Sequence, residues 1–176
     1  MESVSGPTGR EASQWTQPLQ ATVAAFFVVS AAVNTLIVFA FGDLYRHRFT
    51  QLYQRSGQVS VDQLGASVDA AMTLSIVITL VFAAVYLALA GLSYFRRLGW
   101  VFIVDMVVLF LVGVPSIVGG VLNLVSPSSA NLPQVFGLTQ LVLALAAVSL
   151  FILMLGLSLR YGLWAQHAAM TPAAEP

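Results

Sequence analysis

The chain contains no cysteine and no lysine. Without thiols it can form no disulfide, zinc thiolate, iron–sulfur cluster or redox relay. Four-span patterns whose loops depend on paired cysteines are excluded with them. Charge is scarce: charged residues make up 8% of the chain, against roughly 25% in an ordinary soluble domain. Seven Arg balance seven Asp and Glu, so the net charge is zero. That leaves no basic face for a nucleic-acid partner. The two histidines, His47 and His167, lie outside the long apolar runs. No pair of them can ligate a haem inside a helix bundle, and no cofactor is expected.

What the sequence has instead is apolar length: 59% of its 176 residues are hydrophobic. A transmembrane helix needs about 20 predominantly apolar residues. Four segments qualify, at about residues 18–41, 70–95, 98–124 and 135–160. The first is too long for the apolar core of a secretory signal, and no small-x-small site closes it. It therefore reads as a retained anchor. The expected fold is an all-α membrane protein, a four-transmembrane-helix bundle over 18–164. Residues 1–17 and 165–176 are polar or small and read as disordered tails. Trp15, Tyr94, Trp100, Tyr161 and Trp164 fall at predicted span ends, where amphipathic rings prefer the headgroup level.

The loops are unequal. Arg96 and Arg97 nearly join the second and third spans, which must form an antiparallel hairpin. The third loop, VSPSSANLPQ, is a Pro, Ser and Asn turn. Only the first loop is sizeable. Tyr45, Phe49 and Leu52 recur there at helical spacing, with Arg48, Gln51 and Arg55 elsewhere, which predicts a short interfacial segment. It either rests on headgroups as a connector or offers a docking surface. Ser60 and Gln63 have the spacing of a capping box, which would start the second long helix before the membrane. Arg10, Arg96, Arg97 and Arg160 outnumber Arg46, Arg48 and Arg55 by one. The positive-inside rule then places both termini in the cytoplasm. The endings GLSYFRR and GLSLRYG share a Gly-Leu-Ser-then-Arg pattern on that side.

Each span carries a face of small and polar residues. Successive helical residues turn by about 100°, which places Asp105, Ser116 and Asn123 within about 20° of one line. Ser75, Thr79, Ala83, Tyr86, Ala90 and Ser93 share a stripe on the second span. Ser30 and Asn34 are one turn apart on the first. On the fourth, Ser149, Gly156 and Arg160 share one face, and Gln140, Ala144 and Ala147 another. Such faces pack helices together in lipid; they would also line a polar pathway. The second face of span four would be free for a homodimer or another subunit.

Asp105 raises the sharpest question. It sits in WVFIVDMVVLF, about 10 Å inside the third span at 1.5 Å per residue. An acid at membrane depth costs roughly 2.5–3.5 kcal/mol at the helix centre and somewhat less near an end. An ion pair with Arg160, at the same membrane side, would offset that cost and clamp span three to span four. The alternatives are a proton- or cation-coupling site and a site for a partner's Arg. Ion-coupled carriers usually show several such groups or broken helices; this chain has one.

Catalysis needs a nucleophile or metal with helpers, and no His, Cys or Glu lies within a span. Asp43, His47, Asp62 and Asp69 in the first loop match no metal-ligand spacing, so no metal site is assigned. The expectation is a non-enzymatic multi-pass protein of the cell membrane, bacterial by its Arg-only basic usage. It would be an accessory, assembly or regulatory component of a membrane complex, with a membrane-protein partner or a homo-oligomer in the lipid bilayer. The alternative is a small transporter or channel with Asp105 as coupling residue.

Overall fold

The computed structural model describes residues 9–57, 60–96, 98–125 and 134–166. Within them the chain is helical: α1 (Gly9–Ala40), α2 (Gly42–Ser56), α3 (Val61–Phe95), α4 (Gly99–Val125), α5 (Gln134–Tyr161), then a single 3-10 turn (Leu163–Ala165). Four of these helices, α1, α3, α4 and α5, are long and apolar enough to cross a membrane. Their outer surface is apolar as well, with Leu36, Phe39, Val81, Leu87, Leu111 and Leu159 all exposed. This is the reverse of a soluble bundle, which turns such residues inward.

The helices pair off. α1 packs chiefly along α3, and α4 along α5. The α4–α5 contact is close because Gly113 faces Ala147 and Val148. A Cβ added at Gly113 would lie 2.8 Å from Val148 Cγ2 and 3.3 Å from the Val148 nitrogen. Small residues give helices that approach. Ala144 and Ala147 are buried in this seam. The face expected to be free for a homodimer or another subunit is thus taken up within the chain. Ser149, Gly156 and Arg160 face outward instead.

α1 begins at Gly9, nine residues before the expected span, so residues 9–17 are helix rather than tail. The cause lies at the other end of the chain. Thr16 is buried and its hydroxyl donates to the Trp164 carbonyl at 2.8 Å. α5 does not continue to Trp164. It stops at Tyr161, Gly162 takes φ 82°, and the chain turns back. Trp164 is fully buried, not an interfacial ring. Its indole N–H donates to the Leu98 carbonyl at 2.9 Å, and its ring meets Phe102 edge-on at 5.1 Å. Ala165 is fully buried beside it, so the C-terminal tail starts later than expected; residues 167–176 lie outside the described residues. Trp15, Tyr94 and Trp100 are exposed, as belt residues should be.

α3 has 35 residues, about 52 Å, well beyond the roughly 30 Å of a hydrocarbon core. It starts at Val61, where the capping box predicts, although the Ser60 side chain makes no cap hydrogen bond. α2 is the predicted short helix. It packs on the first part of α3, and Arg46 pairs with Asp69 there. Tyr45 and Phe49 are half-buried while Leu52 stays exposed.

Two outcomes test this packing. Trp164→Ala should lower unfolding stability in detergent by about 3–5 kcal/mol, the cost of emptying a large aromatic site. A loss below about 1 kcal/mol would mean the turn is not holding the bundle. Gly113→Ala should cost about 1–3 kcal/mol by overpacking. Gly119→Ala, where an added Cβ meets nothing within 4 Å, should be neutral. Equal effects at the two glycines would contradict the close α4–α5 approach.

Candidate functional site

Two polar sites emerge, at different levels of the bundle. The first surrounds Asp105, which is fully buried. The hairpin between α3 and α4 brings Ser93 to it. Ser93 Oγ lies 2.6 Å from Asp105 Oδ2 and 2.6 Å from the Leu89 carbonyl oxygen. A hydroxyl has one proton to donate. Helical serines commonly give theirs to the carbonyl one turn back. The Ser93 oxygen then offers only lone pairs to Asp105, and both contacts hold together when the carboxyl itself carries a proton and donates it. Asp105 Oδ1 is buried with no hydrogen-bond partner among the described residues. A neutral carbonyl oxygen bears that position far more cheaply than a charged one.

The expected Asp105–Arg160 ion pair does not form. Arg160 is exposed, with its guanidinium 5.2 Å from the centre of the Tyr161 ring. The two residues share one end of the bundle, but Arg160 faces outward from α5 while Asp105 faces inward from α4. Arg46–Asp69, an exposed pair, is the one salt bridge among the described residues.

The second site is a cleft of about 370 Å³ between the two helix pairs. Asn34, Thr79, Tyr86 and Ser116, all on the predicted polar faces, line it together. Tyr45 of α2 and Gln140 of α5 complete its polar lining; Ile37, Val38, Phe82 and Val112 are among its apolar walls. Ser75 is half-buried and does not line the cleft. The Asn123 side chain lies outside the described residues. Sequence reasoning grouped Gln140 with Ala144 and Ala147 and assigned Tyr45 to the interface. Helical periodicity gives a residue's face but not the depth at which neighbouring helices part. Among the described residues the cleft lining carries no carboxylate, Arg or His. Burial pushes the Tyr45 hydroxyl above its ordinary range, against a smaller opposing pull from Arg48, so it stays neutral at physiological pH.

The two sites are separated. Along α4, Asp105 and Ser116 are about 16 Å apart, with the fully buried Leu109 between them. On α1 the fully buried Phe27 lies one turn below Ala31 of the cleft wall, and its ring stacks on Tyr86 at 5.7 Å. Phe27, Tyr86 and Leu109 therefore floor the cleft. In the first loop, Asp69 is taken by Arg46 and His47 contacts Gln51 at 3.0 Å. No three potential metal ligands come together among the described residues. Compared with known protein families, curated proteins and solved structures, the chain matches none.

Stability measurements separate the two accounts of Asp105. Ser93→Ala should cost about 1–3 kcal/mol by stripping the buried carboxyl of its partner. Asp105→Asn should cost less than Asp105→Ala, because an amide can donate to Ser93 as the protonated acid does. Arg160→Gln should stay within about 0.5 kcal/mol. Coupling between Asp105 and Arg160 in a double-mutant cycle, with none between Asp105 and Ser93, would reverse the assignment.

Proposed function

We propose that this chain is a multi-pass protein of the cell membrane, both termini cytoplasmic, that serves as a non-catalytic accessory, assembly or regulatory component of a membrane complex. The apolar outer surface of its four long helices supports the membrane assignment. One observation carries the functional reading. Asp105, the only carboxylic acid deep in a span among the described residues, is held against Ser93 and set apart from the cleft by Phe27, Tyr86 and Leu109. An acid so placed joins α3 to α4 and is fully buried. Its role is to hold the helix hairpin.

A second reading, a small transporter or channel, draws on the polar cleft. A cleft floored by Phe27, Tyr86 and Leu109 continues toward Asp105 only with a rearrangement of that floor. With Ala144 and Ala147 internal, a partner has the outward face of α5 at Ser149 and Gly156, where an added Cβ at Gly156 meets nothing within 4 Å.

The tagged protein, purified in mild detergent from its native membrane, should bring a membrane polypeptide with it in stoichiometric amount by mass spectrometry. Gly156→Leu should reduce that yield severalfold while leaving the melting temperature unchanged. A clean monomer or homodimer, together with loss of an ion-coupled flux in Asp105→Asn, would replace this reading with the transport one.

A further inference from the structure

In a bilayer the hydrocarbon offers polar groups no hydrogen bonds, and each unsatisfied one carries a cost. Helical Ser and Thr usually meet this by donating to a carbonyl one turn back. Thr22, Thr50, Thr73 and Ser93 do so here. The polar residues of the cleft behave differently. Asn34, Thr79, Tyr86, Ser116 and Gln140 make no hydrogen bond among the described residues. Tyr86 is the most telling of them, because it is 8% exposed, lines the cleft and leaves its hydroxyl without a partner. Five polar side chains from four helices, none hydrogen-bonded among the described residues, converge on one cavity.

We propose that this cleft is a binding site for an uncharged, lipid-soluble small molecule bearing both hydrogen-bond donor and acceptor groups, such as a ketone or ester combined with an alcohol. The lining sets the chemistry. Two carboxamides and three hydroxyls offer donors and acceptors. No ionised group is present to neutralise a charge, so a charged ligand would pay its desolvation unopposed. Phe82 and Tyr86, with centroids 6.5 Å apart, provide an aromatic wall for a flat apolar body. A volume of about 370 Å³ lies in the range of small-ligand pockets, roughly 300–1,000 Å³. The inference does not depend on the accessory reading, since the site is complete within one chain.

The purified full-length protein in phosphatidylcholine nanodiscs is irradiated with 4-(hydroxymethyl)benzophenone, an uncharged ketone-alcohol that couples to nearby C–H bonds, and adducts are mapped by mass spectrometry. Unsubstituted benzophenone and benzophenone-4-carboxylate serve as comparison probes. The ketone-alcohol should label saturably at cleft residues such as Ile37, Val38 and Val112. The carboxylate should label them weakly. Thr79→Val with Ser116→Ala, which removes two hydroxyls and keeps the helix faces apolar, should weaken apparent affinity about thirtyfold. That figure follows from net hydrogen bonds of about 1 kcal/mol each. Val38→Trp, filling the cleft from its wall, should abolish saturable labelling, and an unchanged melting temperature shows that both variants fold. Labelling spread evenly over outward residues such as Leu111 and Leu159 would overturn the proposal. So would equal labelling by benzophenone and its alcohol, or labelling that survives Val38→Trp. A copurified polypeptide that shields these positions would assign the cleft to a protein partner instead.

Discussion

The bundle depends on the return of Trp164 into the gap between α1 and the start of α4. α1 and α3 form one packed pair and α4 and α5 another, and apolar faces alone give two such pairs little reason to join in lipid. Trp164 supplies one at this end, beside the Ser93–Asp105 contact that joins α3 to α4. Its ring fills the space beside Phe102, its N–H satisfies the Leu98 carbonyl, and its own carbonyl takes the Thr16 proton. The backbone bends to permit this: Trp164 and Ala165 both adopt positive φ, at 56° and 52°. A non-glycine residue in that region costs roughly 1–2 kcal/mol. Filling a large aromatic site is worth about 3–5 kcal/mol, so the packing wins over the strain by a narrow margin.

From that fixed end the molecule is graded. Trp164, Asp105 with Ser93, and the layer of Phe27, Tyr86 and Leu109 follow one another up the axis. Beyond them the pairs part and the cleft begins. The closed half uses apolar packing and the buried polar contacts of Thr16 with Trp164 and Ser93 with Asp105; the open half gathers Asn34, Thr79, Tyr86, Ser116 and Gln140 around a cavity. The same four helices thus do two jobs, and the polar residues that share a line on α4 belong to different ones.

How much of this the sequence revealed follows from what each signal encodes. Hydropathy over about 20 residues reports apolar length, and the four long helices were legible from it to within a few residues apart from the early starts of α1 and α3, the second of which only the Ser60–Gln63 spacing signalled. The 100° rule found Asn34, Thr79, Tyr86 and Ser116 because orientation about a helix axis is a local property. It did not find Gln140, whose role depends on where α5 separates from α1. Arg160 was assigned to Asp105 on shared membrane side, and side says nothing of facing; Ser93, twelve residues away across a tight hairpin, was the nearer partner. Trp164 was misread for a related reason. Aromatics near span ends mostly sit in the interface, and only the left-handed turn after Gly162 carries this one inward.

The position of Trp164 in the chain has a consequence for assembly. Membrane helices enter the bilayer in the order they are made, and α1 to α5 all precede this residue. The two pairs can form while synthesis proceeds, each from local contacts. Closing this end waits for the turn after α5 to reach the space between Thr16 and Leu98. Until then α1 has no partner for its first turns and the start of α4 stands open. A chain whose turn after α5 has not yet docked would leave that end of the bundle unclosed, and there a chaperone or proteolytic surveillance would meet it.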